Sequence, residues 1–427
     1  RRWRSSTRYA PTCDLRDTRA SLLTPRQPGE LRLARMSIQA TPRTVARAQG
    51  GRDQFLDMLR AWSILRVVAV HIMGLAPVTI LWWPAPSFVL PGMPMLFFVS
   101  GALALRSLDP TGRRPASTRG FLSDRLRRIL LPYWAYFAVV ASITIVVDVL
   151  RDGDLTQVNY TRMALGPVPL INPITSPSGF LGMVHLWFLV VIIWLTLLAP
   201  ALVRWHRRTP RLLLLVSVAL LVAVPLLARS GHVIYPEIGA LALFQFFYVL
   251  GFSYTDNGIV SGLPSHRARI RIAGWRALLV GVAFTGVAWV LWRWEHPISI
   301  QDSALVQAAL GISAIGFMVW LREPLVALAG RIRPQLAWLT RRTLTIYLWG
   351  WPCTALAKMA VDKVGLTGWT SMGVFVSLTV LGLVAAVRVF GPIEDIAARR
   401  KTVDRDREAP PGRAHIPSKS RVLVSER

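Results

Sequence analysis

"RAWSILRVVAVH" (residues 60–71) stands at the head of the first long apolar run of this chain. Arg60 opens it, His71 closes it and Arg66 lies between. A run this apolar belongs in hydrocarbon or in a protein interior, where ionisable groups are costly and usually line a path or a site. On a helix, the eleven residues from Arg60 to His71 make three turns plus about 20°. Both side chains then leave one face, about 16 Å apart along the axis. Asp57, three residues before Arg60, falls near the same face. Arg66 lies about 120–140° away on the helical wheel and needs a separate partner.

Composition sets the class. Of 427 residues, 53% are hydrophobic and only 17% charged, with a mean hydropathy of +0.43. A soluble chain carries about 25% charged residues. The seventeen tryptophans suit rings placed at membrane–water boundaries. A net charge of +28 raises nucleic acid as a partner, but the charges lie between apolar blocks, with no soluble face to gather on. Nearly all are arginine; Lys358, Lys363, Lys401 and Lys419 are the only lysines, a bias typical of a GC-rich bacterial genome. Cys13 and Cys353 are too few and too far apart for a disulfide framework or a metal knuckle, and no metal site is expected.

Apolar blocks long enough to cross a ~30 Å hydrocarbon core recur near 62–81, 88–105, 130–149, 183–203, 212–228, 239–255, 274–292, 304–321, 343–360 and 370–390. The expected fold is therefore an all-α polytopic membrane protein of about ten transmembrane helices. Arginine crowds every second loop: 106–128, 204–211 ("RWHRRTPR"), 267–276 and 322–342. The alternate loops "PAPS" (84–87), 229–238 and 361–369 carry few charges, and 150–182 is long, polar and proline-bearing. By the positive-inside rule both termini are expected in the cytoplasm, in the plasma (inner) membrane. Residues 1–50 read as a basic disordered segment, with Met36 a sensible start and 1–35 upstream of the native chain. The membrane domain is expected over 51–395, with a disordered cytoplasmic tail over 396–427.

The first span suggests a chemistry. An acyl-CoA has phosphates at one end and a thioester at the end of a long arm. An arginine at a cytoplasmic mouth and a general base about 16 Å deeper would suit that shape. A histidine titrates near neutrality and can take a proton from an acceptor hydroxyl.

Five elements then resemble the integral-membrane acyltransferase-3 family, which includes O-antigen and peptidoglycan acetylases. "FLDMLRAWSILRVVAVH" (55–71) resembles its Arg-x10-His first-helix signature, and "MPMLFFVSGALAL" (93–105) its FF-x-x-SG element. "FLSDRLRRILLPYW" (121–134), "HLWFLVVIIWLTLLAP" (185–200) and "TLTIYLWGWP" (343–352) follow in family order. The resemblance implies about ten helices, an acyl-CoA (acetyl-CoA) co-substrate with no permanently bound cofactor, and an acceptor at or beyond the outer face. His71 and Arg60 correspond to its signature pair. The chain departs at Gly350, where many members carry a histidine, and it shows no fused extracytoplasmic hydrolase-like domain.

The expected catalytic residues are His71 and Arg60. Arg125 and Arg128, three apart and so on one face, suit CoA phosphates through the planar arginine fork; Asp57 joins them at the donor mouth. Arg66, Ser100, Gly101, His185, Trp187 and Tyr347 are expected along the substrate channel, though Ser100-Gly101 equally suits close helix packing. The leading reading is an O-acyltransferase acting on a carbohydrate, lipid-linked, cell-envelope or secondary-metabolite hydroxyl. The alternative is a transporter that moves a small solute without chemistry, since pathways also tolerate buried charge.

Overall fold

In the computed structural model of the chain, the side chain of Asp53 sets the start of the first helix, α1 (Gln54–Gly74), by accepting from the Phe55 and Leu56 amides at 3.1 and 3.3 Å. An oxygen at this position satisfies amides that have no partner within the helix. The helix stops before Pro77, because the residue preceding a proline is pushed out of the α region. α1 therefore begins and ends earlier than the 62–81 block, and His71 falls in its last turn. The described residues are 53–77, 92–108, 117–152, 158–174, 180–256, 266–295 and 303–407. The expected basic segment 1–50, Met36, the 84–87 loop, positions 78–81 and 88–91 of the first two blocks and tail positions 408–427 lie outside them.

The remaining helices are α2 (Gly92–Leu108), α3 (Thr118–Asp152), α4 (Tyr160–Leu165), α5 (Phe180–Met183), α6 (Trp187–Arg208), α7 (Pro210–Arg229) and α8 (Pro236–Asp256). They continue with α9 (His266–Glu295), α10 (Ala304–Trp320), α11 (Arg322–Arg331), α12 (Arg333–Arg341), α13 (Thr343–Val364) and α14 (Gly368–Arg407). Among the described residues there is no strand. Among the described residues each apolar block falls on a helix, but six helices are long and apolar enough to span by themselves, and the α10–α11 pair, bent by 69°, makes up to seven. α1, α2 and α13 are not among them. The chain is a multi-pass membrane protein.

Two arginine-rich connections have more structure than expected. Segment 322–342 forms α11 and α12. Their apolar residues Ala329 and Leu336 bury against Met58 and Ala61 of α1, which gives these short helices the tertiary face they need. The 204–211 connection is the end of α6 and the start of α7, joined at Thr209 with Pro210 opening the second helix. α14 runs on to Arg407, past position 395.

Close approach between helices falls where glycines allow it. A Cβ on Gly101 would lie 1.9 Å from the Tyr248 carbonyl oxygen, and one on Gly251 2.2 Å from that of Phe98. Ser100-Gly101 therefore marks the α2–α8 crossing, the small-residue packing typical of membrane helices. Around it Phe97, Phe98, Phe244, Phe247 and Phe252 form a buried aromatic core. Gly101→Ala should cost about 1–3 kcal/mol through overpacking. Gly239→Ala on α8, where an added Cβ meets open space, should instead stabilise by about 0.5–1 kcal/mol. Thermal unfolding of the two variants in detergent checks the opposite signs.

Candidate active site

Four elements meet around His71. Its ring centre is 5.2 Å from that of Trp351 on α13 and 6.3 Å from that of His185, both nearly edge-on. Across the contact, the backbone of Gly350 faces the imidazole: a Cβ there would sit 3.8 Å from His71 Nδ1. That nitrogen is buried and has no hydrogen-bond partner among the described residues. Arg66 lies within electrostatic range of His71. Its side chain crosses the start of α2 where residue 92 is glycine; a Cβ there would come within 2.7 Å of Arg66 Cδ.

His185 occupies a 3₁₀ turn (Val184–Leu186) that breaks the chain between α5 and α6. Such a break frees backbone carbonyls, and in an apolar bundle each needs a donor. The Tyr136 hydroxyl of α3 donates to the Gly182 carbonyl, and the Tyr347 hydroxyl of α13 donates to the His185 carbonyl. The His185 side chain is only 5% exposed, and its Nε2 lies 3.0 Å from the Leu348 carbonyl oxygen. A carbonyl only accepts, so Nε2 carries the proton and donates. The reason this carbonyl is available lies four residues on. Pro352 sits inside α13 without an N–H, so the i→i−4 bond that would occupy the Leu348 oxygen cannot form.

The walls are aromatic. Tyr136 packs against His185 (6.0 Å between ring centres) and Trp349 (5.2 Å), and Trp349 stacks on Phe390 of α14 at 4.4 Å. Segment 158–174, expected as polar loop, lies against the same helices. Tyr133 donates to the Gly166 carbonyl at 2.6 Å, Trp134 Nε1 to that of Pro167 at 2.7 Å, and Trp194 Nε1 to that of Leu170 at 3.0 Å.

Of the residues expected in the site, His71, His185 and Tyr347 come together, with Arg66 beside them. Trp187 stands one layer away, stacked on Phe244 at 5.5 Å. Ser100 and Gly101 belong to the α2–α8 crossing. Arg125 has its guanidinium over the Phe121 ring at 5.4 Å, within electrostatic range of Tyr248 on α8, while Arg128 is exposed. Asp57 and Arg60 are half-buried on α1, and Arg60 lies within electrostatic range of Glu394 of α14. Glu394 accepts from the Leu344 and Thr345 amides at 2.9 and 3.0 Å and so caps the start of α13. Among the described residues no group of three or more His, Cys, Asp or Glu gathers as a metal site would require.

A family model described as an acyltransferase domain matches residues 53–390, from the cap of α1 into α14. The chain belongs to the acyltransferase-3 family. No curated protein and no solved structure matches it. The acyltransferase match takes in every side chain of the His71 cluster; Glu394 lies just beyond it.

The sequence reading passed over Tyr136, Trp351, Pro352 and Glu394. Pro352 carried a legible signal, since a proline inside an apolar helix always frees the carbonyl four residues before it. Tyr347→Phe removes the donor from the buried His185 carbonyl and should cost about 1–3 kcal/mol. Thermal unfolding should show that loss, and Tyr160→Phe, at an exposed position, should stay near the wild type.

Proposed function

We propose that this acyltransferase moves an acyl group, acetyl by preference, from a cytoplasmic acyl-CoA to a hydroxyl of a carbohydrate, cell-envelope or secondary-metabolite acceptor. The observation that carries the reading is the unpartnered Nδ1 of His71, buried at the meeting of α1, α13 and the His185 turn. A base intended for an external proton must keep a nitrogen free of internal donors. In the reaction the acceptor oxygen bonds to the thioester carbonyl carbon as His71 takes the hydroxyl proton. The C–S bond then breaks, and the imidazolium returns the proton to the CoA thiolate, leaving an O-acyl ester and free CoA.

The donor end follows from α1. Because α1 is unbroken from Gln54 to Gly74, Arg60 and His71 keep a separation of about 16 Å along one axis, near the reach of a pantetheine arm. Arg60, with Arg125 and Arg128, supplies charge-assisted contacts to CoA phosphates. Several charged helix ends share this side: Arg106 pairs with Asp53 and Arg342 with Asp395, each at 2.6 Å, and His206 and Arg207 pair with Asp256, each at 2.7 Å, while the Arg229–Glu295 pair joins the other ends of α7 and α9. We assign the side of Arg60, and both termini, to the cytoplasm of a bacterial inner-membrane protein.

His71→Ala should lower acyl transfer about 10²–10⁴-fold while donor binding persists. Arg60→Ala should instead raise the acetyl-CoA concentration needed for half-maximal CoA release. Labelled acetyl-CoA in proteoliposomes reads both. A wild type that moves solute and releases no CoA with any cell extract as acceptor would identify a transporter. Orientation is read separately, in a Cys13→Ser/Cys353→Ser background with a membrane-impermeant thiol reagent. Tyr235→Cys should label in intact cells and Ser123→Cys should not.

A further inference from the structure

The arginine-rich connection 204–211 gives the end of α6 two faces that differ in their partners. On the inner face His206 is buried, and His206 and Arg207 both pair with Asp256 of α8. On the outer face Ala201, Arg204, Trp205 and Arg208 follow at steps that place them on one side of the helix. With Thr209 they line an open cavity of about 590 Å³ at the α6–α7 junction. Sites for small ligands run from about 300 to 1,000 Å³. Among the described residues no carboxylate pairs with Arg204 or Arg208. Two like charges one turn apart repel, and an anion between them removes that cost. The arginine fork matches the paired oxygens of a phosphate. The same side of α6 continues into the membrane through the exposed Trp194, Leu197 and Leu198, and α7 beside it exposes Leu212 and Leu215. Charge and apolar surface are therefore stacked in the order of a lipid, with the Trp205 ring at the boundary where tryptophans settle.

We propose that this cavity holds the headgroup of an anionic phospholipid, its phosphate between Arg204 and Arg208 and its chains on the outer faces of α6 and α7. A soluble phosphate would engage the two guanidiniums and leave the leucines below them unused. A zwitterionic headgroup would bring an ammonium into a cavity that already carries two cations. The side is the one assigned above to the cytoplasm, where basic pockets between helices meet anionic headgroups. The binding claim stands apart from acyl transfer, because neither arginine belongs to the cluster around His71 or to the donor contacts proposed for Arg60, Arg125 and Arg128.

Native mass spectrometry tests this on the full-length protein, released from uncharged detergent micelles that hold equimolar phosphatidylglycerol and phosphatidylcholine. Wild type should retain phosphatidylglycerol in preference. Arg204→Gln and Arg208→Gln should each lower that preference about fivefold, and the double variant about 25-fold, the effect of one arginine and of two at a membrane surface. Arg333→Gln, at an exposed position of α12, should keep it. Thermal unfolding gives a second readout: phosphatidylglycerol should raise the Tm of wild type and not that of the double variant. Equal retention of the two lipids by wild type, or an unchanged preference in the double variant, overturns the proposal. Competition identifies the source of the phosphate. Lipid that stays bound in an excess of inorganic phosphate or CoA supports the assignment. Displacement by either at equal concentration makes this a site for a soluble anion and sinks it.

Discussion

A single missing N–H organises the centre of this molecule. Pro352 interrupts the hydrogen-bond ladder of α13, and the Leu348 carbonyl it exposes lies where neither water nor lipid can serve as a donor. His185 supplies the proton from Nε2, and in return Tyr347, one residue before Leu348, donates its hydroxyl to the His185 carbonyl. Side chain and main chain of the 3₁₀ turn are thus both held by adjacent residues of α13. Tyr136 ties the same turn to α3 through the Gly182 carbonyl. The break between α5 and α6 is in this sense a paired defect: each of two interrupted helices satisfies what the other lacks. Because the donated proton must come from Nε2, the chemistry available at Nδ1 is decided by backbone geometry.

The other end of α13 is fixed by charge. Glu394 accepts from the first amides of the helix, next to the Arg342–Asp395 pair, and Arg342 also donates to the Gly391 carbonyl. A carboxylate at a helix start complements both the unpaired amides and the positive end of the helix dipole. Arg60 reaches the same neighbourhood electrostatically from α1. α1 and α13 are therefore registered twice, near Arg60 and Glu394 at one level and near His71 and Trp351 at another. A shift of one helix along the other would disturb both levels together. This couples the position of the arginine proposed for the donor to that of the histidine proposed as base.

The helical class was legible in the sequence, because hydropathy over about twenty residues is a strong signal, although six or seven candidate spans stand among the described residues where about ten were expected. The Arg60–His71 stripe was legible for the same reason: a continuous helix fixes angle and rise. Boundaries were less so. α1 starts at Gln54 because Asp53 can cap it and Phe55, Leu56 and Leu59 are buried, whereas Arg60 read as a flank to the membrane. Segment 322–342 read as loop because its arginines dominate; its helical character depends on Ala329 and Leu336 finding α1, which is tertiary information. His185 and Tyr347 stood out by residue type, but that they touch depends on a break in one helix meeting a proline in another. No local pattern encodes that meeting. Gly101 carried two readings, and only the approach of Tyr248 separates them.

α1 and α13, which carry most of the candidate site, fail the test for membrane spans, while α7, α9 and α14 pass it with only 22%, 17% and 22% of their apolar windows buried. Those three turn apolar side chains such as Leu215, Leu279 and Leu381 outward, where lipid would take them. α6 and α8, at 61% buried, pack inward against α2 and the aromatic core. A helix that faces protein on most sides has no need to be uniformly apolar, and one that lines a polar site cannot be. Arg60, Arg66 and His71 in α1, and Gly350 and Pro352 in α13, lower the apparent fitness of these helices for hydrocarbon because they are inner helices. Low hydropathy in α1 and α13 thus marks where the outer helices have taken over the contact with lipid and left the interior free for polar chemistry.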